Sequence, residues 1–189
     1  CMILMILTSH RADCFSLCMK CLEQFTELSA FEHIYIMANG LEAGHRKMAD
    51  IFAARHQNAS VVHFEPRGFG PVMVAQSLVW KKHEDSIIVK LDEDVFVTPG
   101  WLQWLLAAYD THKDDGCGLV SALVPNNEAG RPVLHPAFCA AFPEYASSAQ
   151  LQRAPASKNP EYAVCLWKQI LAGTMVLNSY GPVSYTYLR

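Results

Sequence analysis

The stretch Ser86-Ile87-Ile88-Val89-Lys90-Leu91-Asp92-Glu93-Asp94-Val95-Phe96-Val97-Thr98-Pro99-Gly100-Trp101-Leu102 decides how this chain is read. Residues 86–91 form a run of strand length, and acidic residues end it abruptly. Such a run suits a strand buried on both faces. Asp92 and Asp94 stand two apart, and in an extended chain such positions face one side. Two carboxylates on one side make a hard oxygen site for Mn2+ or Mg2+, ions that keep coordination positions open for substrate phosphates. A solvated turn is the plainer reading of a bare Asp-x-Asp, but this one closes a buried strand. Thr98-Pro99 supplies an N-cap and a first helical residue. The helix it opens places Trp101, Trp104, Leu105 and Ala108 on its core face.

Working outward, residues 2–7, 33–38, 61–64 and 118–124 read as further strands. Helical stripes lie between them: Phe15, Cys18, Leu22 and Phe25 behind a cap at Asp13; then Met48, Ile51 and Phe52; then Val74, Ala75, Leu78 and Val79 behind Pro71. Alternation of this kind predicts an α/β fold: three α/β/α layers around a mostly parallel sheet with right-handed crossovers. The regularity ends near Pro125. Residues 125–160 carry six of the ten prolines and read as a long loop, an acceptor-side or lid segment within one domain spanning 1–189. A short helix over 161–171 and a strand over 174–177 follow.

Composition narrows the function. A chain of 189 residues can bury roughly 70% of its unfolded surface without disulfides. Its 51% hydrophobic content excludes disorder, and its longest apolar run is too short for a membrane span. A net charge of −3 argues against nucleic acid as a partner, since phosphate contacts need clustered Lys and Arg. Seven cysteines, an odd number without scaffold density, read as reduced thiols in a cytoplasmic protein. Nothing at the start of the chain has the form of a signal peptide.

In an open α/β sheet, ligands bind beyond the carboxyl ends of the strands. Four loops occupy that edge: residues 8–11, 38–41, 66–70 and 92–94. The run from Lys90 to Leu102, with Asp-x-Asp, apolar residues, Pro-Gly and Trp-Leu, resembles the family-2 glycosyltransferases, whose fold is called GT-A. Architecture over 2–124 agrees, and Ala172-Gly173-Thr174-Met175-Val176 resembles the family's acceptor-side strand. The resemblance implies transfer of a sugar from a nucleotide-diphosphate donor to a glycan, lipid or protein acceptor, assisted by Mn2+ or Mg2+. It implies that Asp92 lies near the donor ribose and that Asp94 holds the metal, with Asp92 beside it. Thr8, Ser9, His10 and Arg11 match the family's first loop, and Gly70 with Gln76 its Gly-to-Asn spacing. Asn39, Gly40, Arg67 and Glu93 complete the expected donor-binding set. His135 is a candidate third metal ligand. Arg11 or Arg67 can add to stabilisation of the leaving group.

The sequence also departs from the family. Ala38 stands where an Asp often helps to hold the nucleotide, Gln76 replaces Asn, and no acid follows Glu161. Glu128, Glu144 and Glu161 are the late carboxylates from which a catalytic base can come. These departures motivate a second reading, a nucleotide-sugar-binding module without catalysis. A third comes from Cys14, Cys18 and Cys21, whose C-x3-C-x2-C spacing resembles the radical SAM enzymes that bind a [4Fe–4S] cluster. Against it stand Lys20 in place of an aromatic, the absence of Gly-Gly-Glu after the second strand, and strong helical periodicity. Gly68-Phe69-Gly70 lacks the third glycine of a dinucleotide fingerprint, and Thr8 to Asp13 contains no glycine for a nucleotidyltransferase loop.

Overall fold

The computed structural model describes residues 1–121 and the strand Tyr187–Leu188. The expectations for the loop 125–160, the helix 161–171, the strand 174–177, and for Glu128, His135, Glu144 and Glu161 lie outside the described residues.

The apolar runs become strands β1 (Met2–Thr8), β2 (His33–Asn39), β3 (Ala59–Phe64) and β4 (Ile87–Asp92). Between them lie helices α1 (Ala12–Phe25), α2 (Ala43–Arg55) and α3 (Phe69–Lys82), and α4 (Trp101–His112) follows β4. Two short strands, β5 (Val120–Ser121) and β6 (Tyr187–Leu188), complete a six-stranded sheet of order β3-β2-β1-β4-β6-β5. β1 to β4 are mutually parallel, and β6 runs antiparallel to both β4 and β5. The α/β fold with a mostly parallel sheet is therefore observed. Strand β6 was not foreseen from its sequence.

Alternation along the strands builds two cores. Ile3, Met5, Tyr35, Met37 and Ile88 pack with Ala75 and Val79 of α3. Leu4, Ile6, Ile34 and Ile36 alternate to the opposite face, where right-handed crossovers place α1 and α2 and where Phe15, Leu22 and Phe52 are buried. Each such side chain contributes about 1.5–3 kcal/mol by leaving water.

Helix faces were read less well than strands. α2 buries His45, Ala49 and Phe52, so Ile51 falls off the stripe and is 47% exposed. α3 begins at Phe69 rather than Pro71 and buries Val72, Ala75, Gln76 and Val79. Val74 and Leu78, expected in its core face, are exposed beside an apolar groove lined by Val62 and Phe64. α4 begins at Trp101 behind Gly100 in the left-handed region, not behind Thr98. Trp101 is fully buried and its Nε1 donates to Thr26 Oγ1 at 2.8 Å, whereas Trp104 is half exposed. Likewise α1 starts one residue before Asp13, which sits in its first turn and pairs with Arg11.

The ends of β2 and β3 are stitched together. Gly40 takes φ +61°, its N–H donates to Phe64 O at 3.0 Å, and its carbonyl accepts from Arg67 Nη2 at 2.8 Å. A Cβ on Gly40 would stand 2.6 Å from Arg67 Cβ and 2.8 Å from Arg67 N. Gly40→Ala therefore meets both a left-handed backbone and a backbone clash. It should lower stability by about 2–3 kcal/mol, read as a reduced urea midpoint at unchanged slope.

Candidate functional site

The sheet order fixes where a ligand can sit. The chain steps from β1 outward to β2 and β3, then returns to pair β4 with the other edge of β1. The direction of winding reverses between β1 and β4, and crevices at such switch points, beyond the carboxyl ends, are the binding places of open α/β sheets. Leu7 pairs with Asp92 in the register, so loop 8–11 and the turn 92–94 leave the sheet side by side.

The turn is not extended. β4 ends at Asp92, and Val95 N donates back to Asp92 O at 3.1 Å. The alternation argument for Asp92 and Asp94 thus stops at Asp92, and each of the three acids has its own surroundings. Asp92 is part-exposed and pairs with Lys90, Nζ to Oδ1 2.5 Å. Lys90 precedes it by two on the same strand and so shares its face. Asp94 is exposed and, among the described residues, makes no hydrogen bond or ion pair. Its charge reaches the Arg11 guanidinium, favouring the protonated form behind the larger effects of Asp13 and Cys14.

Glu93 lies between them and points inward. It is buried, and its carboxylate accepts from Thr8 Oγ1 at 2.7 Å, Ser9 N at 2.9 Å, and His10 N and Arg11 N at 3.2 Å each. Burial pushes its pKa up, but the Ser9 N–H, the Thr8 hydroxyl and the His10 and Arg11 N–H groups outweigh burial and hold it below the ordinary value. The expectation that Glu93 faces a donor gives way to a carboxylate engaged within the fold. Thr8 is buried too, and its Oγ1 stands 2.7 Å from His45 Nε2. A hydroxyl has one proton. Thr8 gives it to Glu93, so it accepts from His45, and the ring carries its proton on Nε2. Burial pushes the His45 pKa down, ahead of the opposing charge of Glu93, which favours the neutral ring.

The other expected residues divide. Ser9 and the exposed His10 hydrogen-bond side chain to side chain at 2.9 Å, and Arg11 is exposed. Asn39 is buried and its Oδ1 accepts from Gly68 N at 3.0 Å, which joins it to Gly40 and Arg67 in the wall beyond β2 and β3. Gly70 is exposed with open space around it, and Gln76 is buried in α3. Ala38 is buried. Sequence reading missed Lys90 and His45. Both were within reach: Lys90 by the strand alternation applied to the acids, His45 by the spacing 45, 49, 52.

Cys14, Cys18 and Cys21 lie on the continuous helix α1, with Cys18 and Cys21 buried. Burial raises all three thiols, Cys21 to about 11 and Cys18 well above its ordinary value, the opposite of what thiolate ligands need. No group of three or more His, Cys, Asp or Glu able to hold a metal ion occurs among the described residues. The continuous helix and the buried thiols do not support the iron–sulfur reading. A site using one or two carboxylates plus substrate phosphates is a different case, and the free Asp94 with the half-open Asp92 suits it.

No family model matches the sequence, and no curated protein does. Solved structures do. The chain is similar to S. aureus TarS 1–349, with a TM-score of 0.50 and 13% identity over 65% of this chain and 35% of that one. S. aureus TarS itself gives 0.50 and 13% over 67% and 21%. The mannosyltransferase PcManGT from Pyrobaculum calidifontis, in complex with GDP-Man and Mn2+, gives 0.49 and 16% over 65% and 35%. At 13% identity the likeness to TarS shows the fold alone, α/β of the GT-A type. The chain spans about a third or less of each of these structures. No helix among the described residues is long and apolar enough to cross a membrane.

The buried histidine makes a pH prediction. A His held below its unfolded value binds fewer protons folded than unfolded, so stability is present above the unfolded value and lost as pH falls through the folded one. Stability should decline from about pH 6.5 downward, and His45→Gln should flatten that limb, measured as urea midpoints between pH 7 and 5.

Proposed function

We propose that this chain, as one GT-A-like domain, transfers a sugar from a nucleoside-diphosphate sugar to an acceptor hydroxyl with the help of Mn2+ or Mg2+. The observation that carries the reading is the exposed Asp94, without a protein partner among the described residues, at the switch point beside loop 8–11. In the reaction the acceptor oxygen bonds to the anomeric carbon. The bond from that carbon to the diphosphate breaks, with its electron pair leaving on phosphate oxygen, and the acceptor proton passes to a base. A bound divalent ion supplies Lewis-acid stabilisation of the negative leaving group. Asp94 is the residue to hold it, with Asp92 beside it. Lys90 steadies Asp92 through its ion pair. Arg11, already in the field of Asp94, adds positive charge near the diphosphate.

Ser9, His10 and Arg11 form one wall for the nucleotide, and Asn39, Gly40, Arg67 and Gly70 the other. Arg67 is tied to Gly40 O by Nε and Nη2, so its part is to hold that wall. Glu128, Glu144 and Glu161 remain the candidates for the base and His135 for an additional ligand, all outside the described residues, and the acceptor is a glycan, lipid or protein. The free cysteines among the described residues support a reducing, cytoplasmic setting. A buried Ala38 in place of an acid favours a second reading, a module that binds the nucleotide sugar without transfer. Nucleotide binding in Mn2+ without transfer or donor hydrolysis would select it.

A thermal-shift screen of nucleotide sugars with and without Mn2+ tests the proposal, because a ligand of the folded state raises its stability by RT ln(1 + [L]/Kd). Asp94→Ala should abolish the Mn2+-dependent shift. It should leave the unliganded protein within about 0.5 kcal/mol of its parent, as for a surface substitution. Equal nucleotide affinity of variant and parent in Mn2+ sinks the assignment.

A further inference from the structure

We propose that Glu93 is a positioning residue, which pins the first-strand loop to the acidic turn so that a cation on Asp94 and a nucleotide on residues 9–11 are held in fixed register. This rests on the nucleotide-sugar reading of the site. Three consecutive backbone N–H groups, of Ser9, His10 and Arg11, converge on one carboxylate across the switch point. Convergent N–H groups of this kind form a nest that suits an anion. Here the anion is supplied by the chain itself, from the residue immediately before Asp94. The Thr8 hydroxyl closes the nest from the strand end, and His45 of α2 holds that hydroxyl in place.

Ser9–His10, Arg11–Asp13 and Phe15 N to Arg11 O contacts also order this glycine-free loop, but its three N–H groups share one side-chain acceptor, so removing that carboxylate frees them. The turn bearing Asp94 loses the same tether. Because the diphosphate links cation and nucleoside, an error in their spacing weakens nucleotide binding even where each half-site survives. A diphosphate that no longer engages both half-sites at once loses their linked binding, about 10-fold or more.

The experiment compares parent, Glu93→Ala and Glu93→Gln. The probes are Mn2+ alone, then uridine, cytidine, guanosine and adenosine diphosphates in Mn2+, each in sodium acetate and in sodium chloride of equal ionic strength. Amide hydrogen exchange is followed at Ser9, His10 and Arg11. In chloride, both variants should bind Mn2+ alone much as the parent does, and should bind the preferred nucleoside diphosphate about 10-fold more weakly or worse. The three amides should lose protection in Glu93→Ala. Acetate can enter the vacated nest as a free carboxylate, so it should restore both protection and nucleotide affinity in Glu93→Ala. It should do neither in Glu93→Gln, whose side chain still fills the space.

Unchanged nucleotide affinity in both variants overturns the proposal. So does acetate that restores amide protection without restoring affinity, since that is a purely structural role. If Glu93→Ala does not fold, the nearly isosteric Glu93→Gln decides by its affinity and exchange. If the parent binds none of the four diphosphates in Mn2+, the sugar-transfer reading fails. The pin is then judged on exchange alone, and unaltered protection of residues 9–11 in the variants overturns it.

Discussion

Three adjacent acidic positions cannot stand at one strand end without an account of their charge. Like charges a few ångströms apart repel, and burying any one of them costs several kcal/mol unless it is fully hydrogen-bonded. The structure gives each acid a separate answer. Asp92 has Lys90 on its own strand. Glu93 has the Thr8 hydroxyl and three backbone N–H groups. Asp94 faces solvent, and the Arg11 guanidinium feels its charge. Two of the three are settled within the protein, and the third stands in solvent, where the proposed function places its cation.

That division bears on how a diphosphate can be held. In dinucleotide-binding α/β folds the pyrophosphate rests on backbone N–H groups where the first strand turns into the first helix. The corresponding N–H groups here, Ser9 to Arg11, are filled by Glu93. The absence of glycine between Thr8 and Asp13 agrees, since no backbone in that loop has to approach a phosphate closely. A diphosphate at this edge then needs positive charge from elsewhere. In the proposed function a divalent ion on Asp94, with Arg11, is that source.

The strands were legible because burial on both faces leaves a continuous apolar run, and their ends were legible because the acids and Asn39-Gly40 interrupt it. The parallel order of β1 to β4 followed from alternation with helices. The helix faces were harder. A stripe of period 3.6 tolerates a shift by one position when apolar residues are plentiful, as at Ile51, Val74 and Leu78. Within the site, the positions of Asp92 and Asp94 were legible, and the direction of Glu93 was not. Its orientation depends on Thr8 and on residues 9–11, more than eighty positions away, whose N–H groups leave no mark on side-chain pattern. Lys90 was legible in principle, by the same period-two rule that singled out the acids.

The cysteines show why spacing alone misleads. C-x3-C-x2-C is compatible with a metal loop, and i, i+4, i+7 is compatible with one side of a helix; Cys14, Cys18 and Cys21 satisfy both. What separates the two is the cost of the thiolate. A cluster needs sulfur anions, and burial against apolar neighbours disfavours them. Cys18 Sγ lies 4.0 Å from Asp92 O, beneath carboxylates whose charge raises the thiol further. A negative sulfur there would add to the charge that Lys90 and the loop amides offset. Neutral thiols under the turn meet that requirement, and a cation at Asp94, as the proposed function has it, would meet it from above, so the packing role of α1 and the proposed role of Asp94 are mutually consistent.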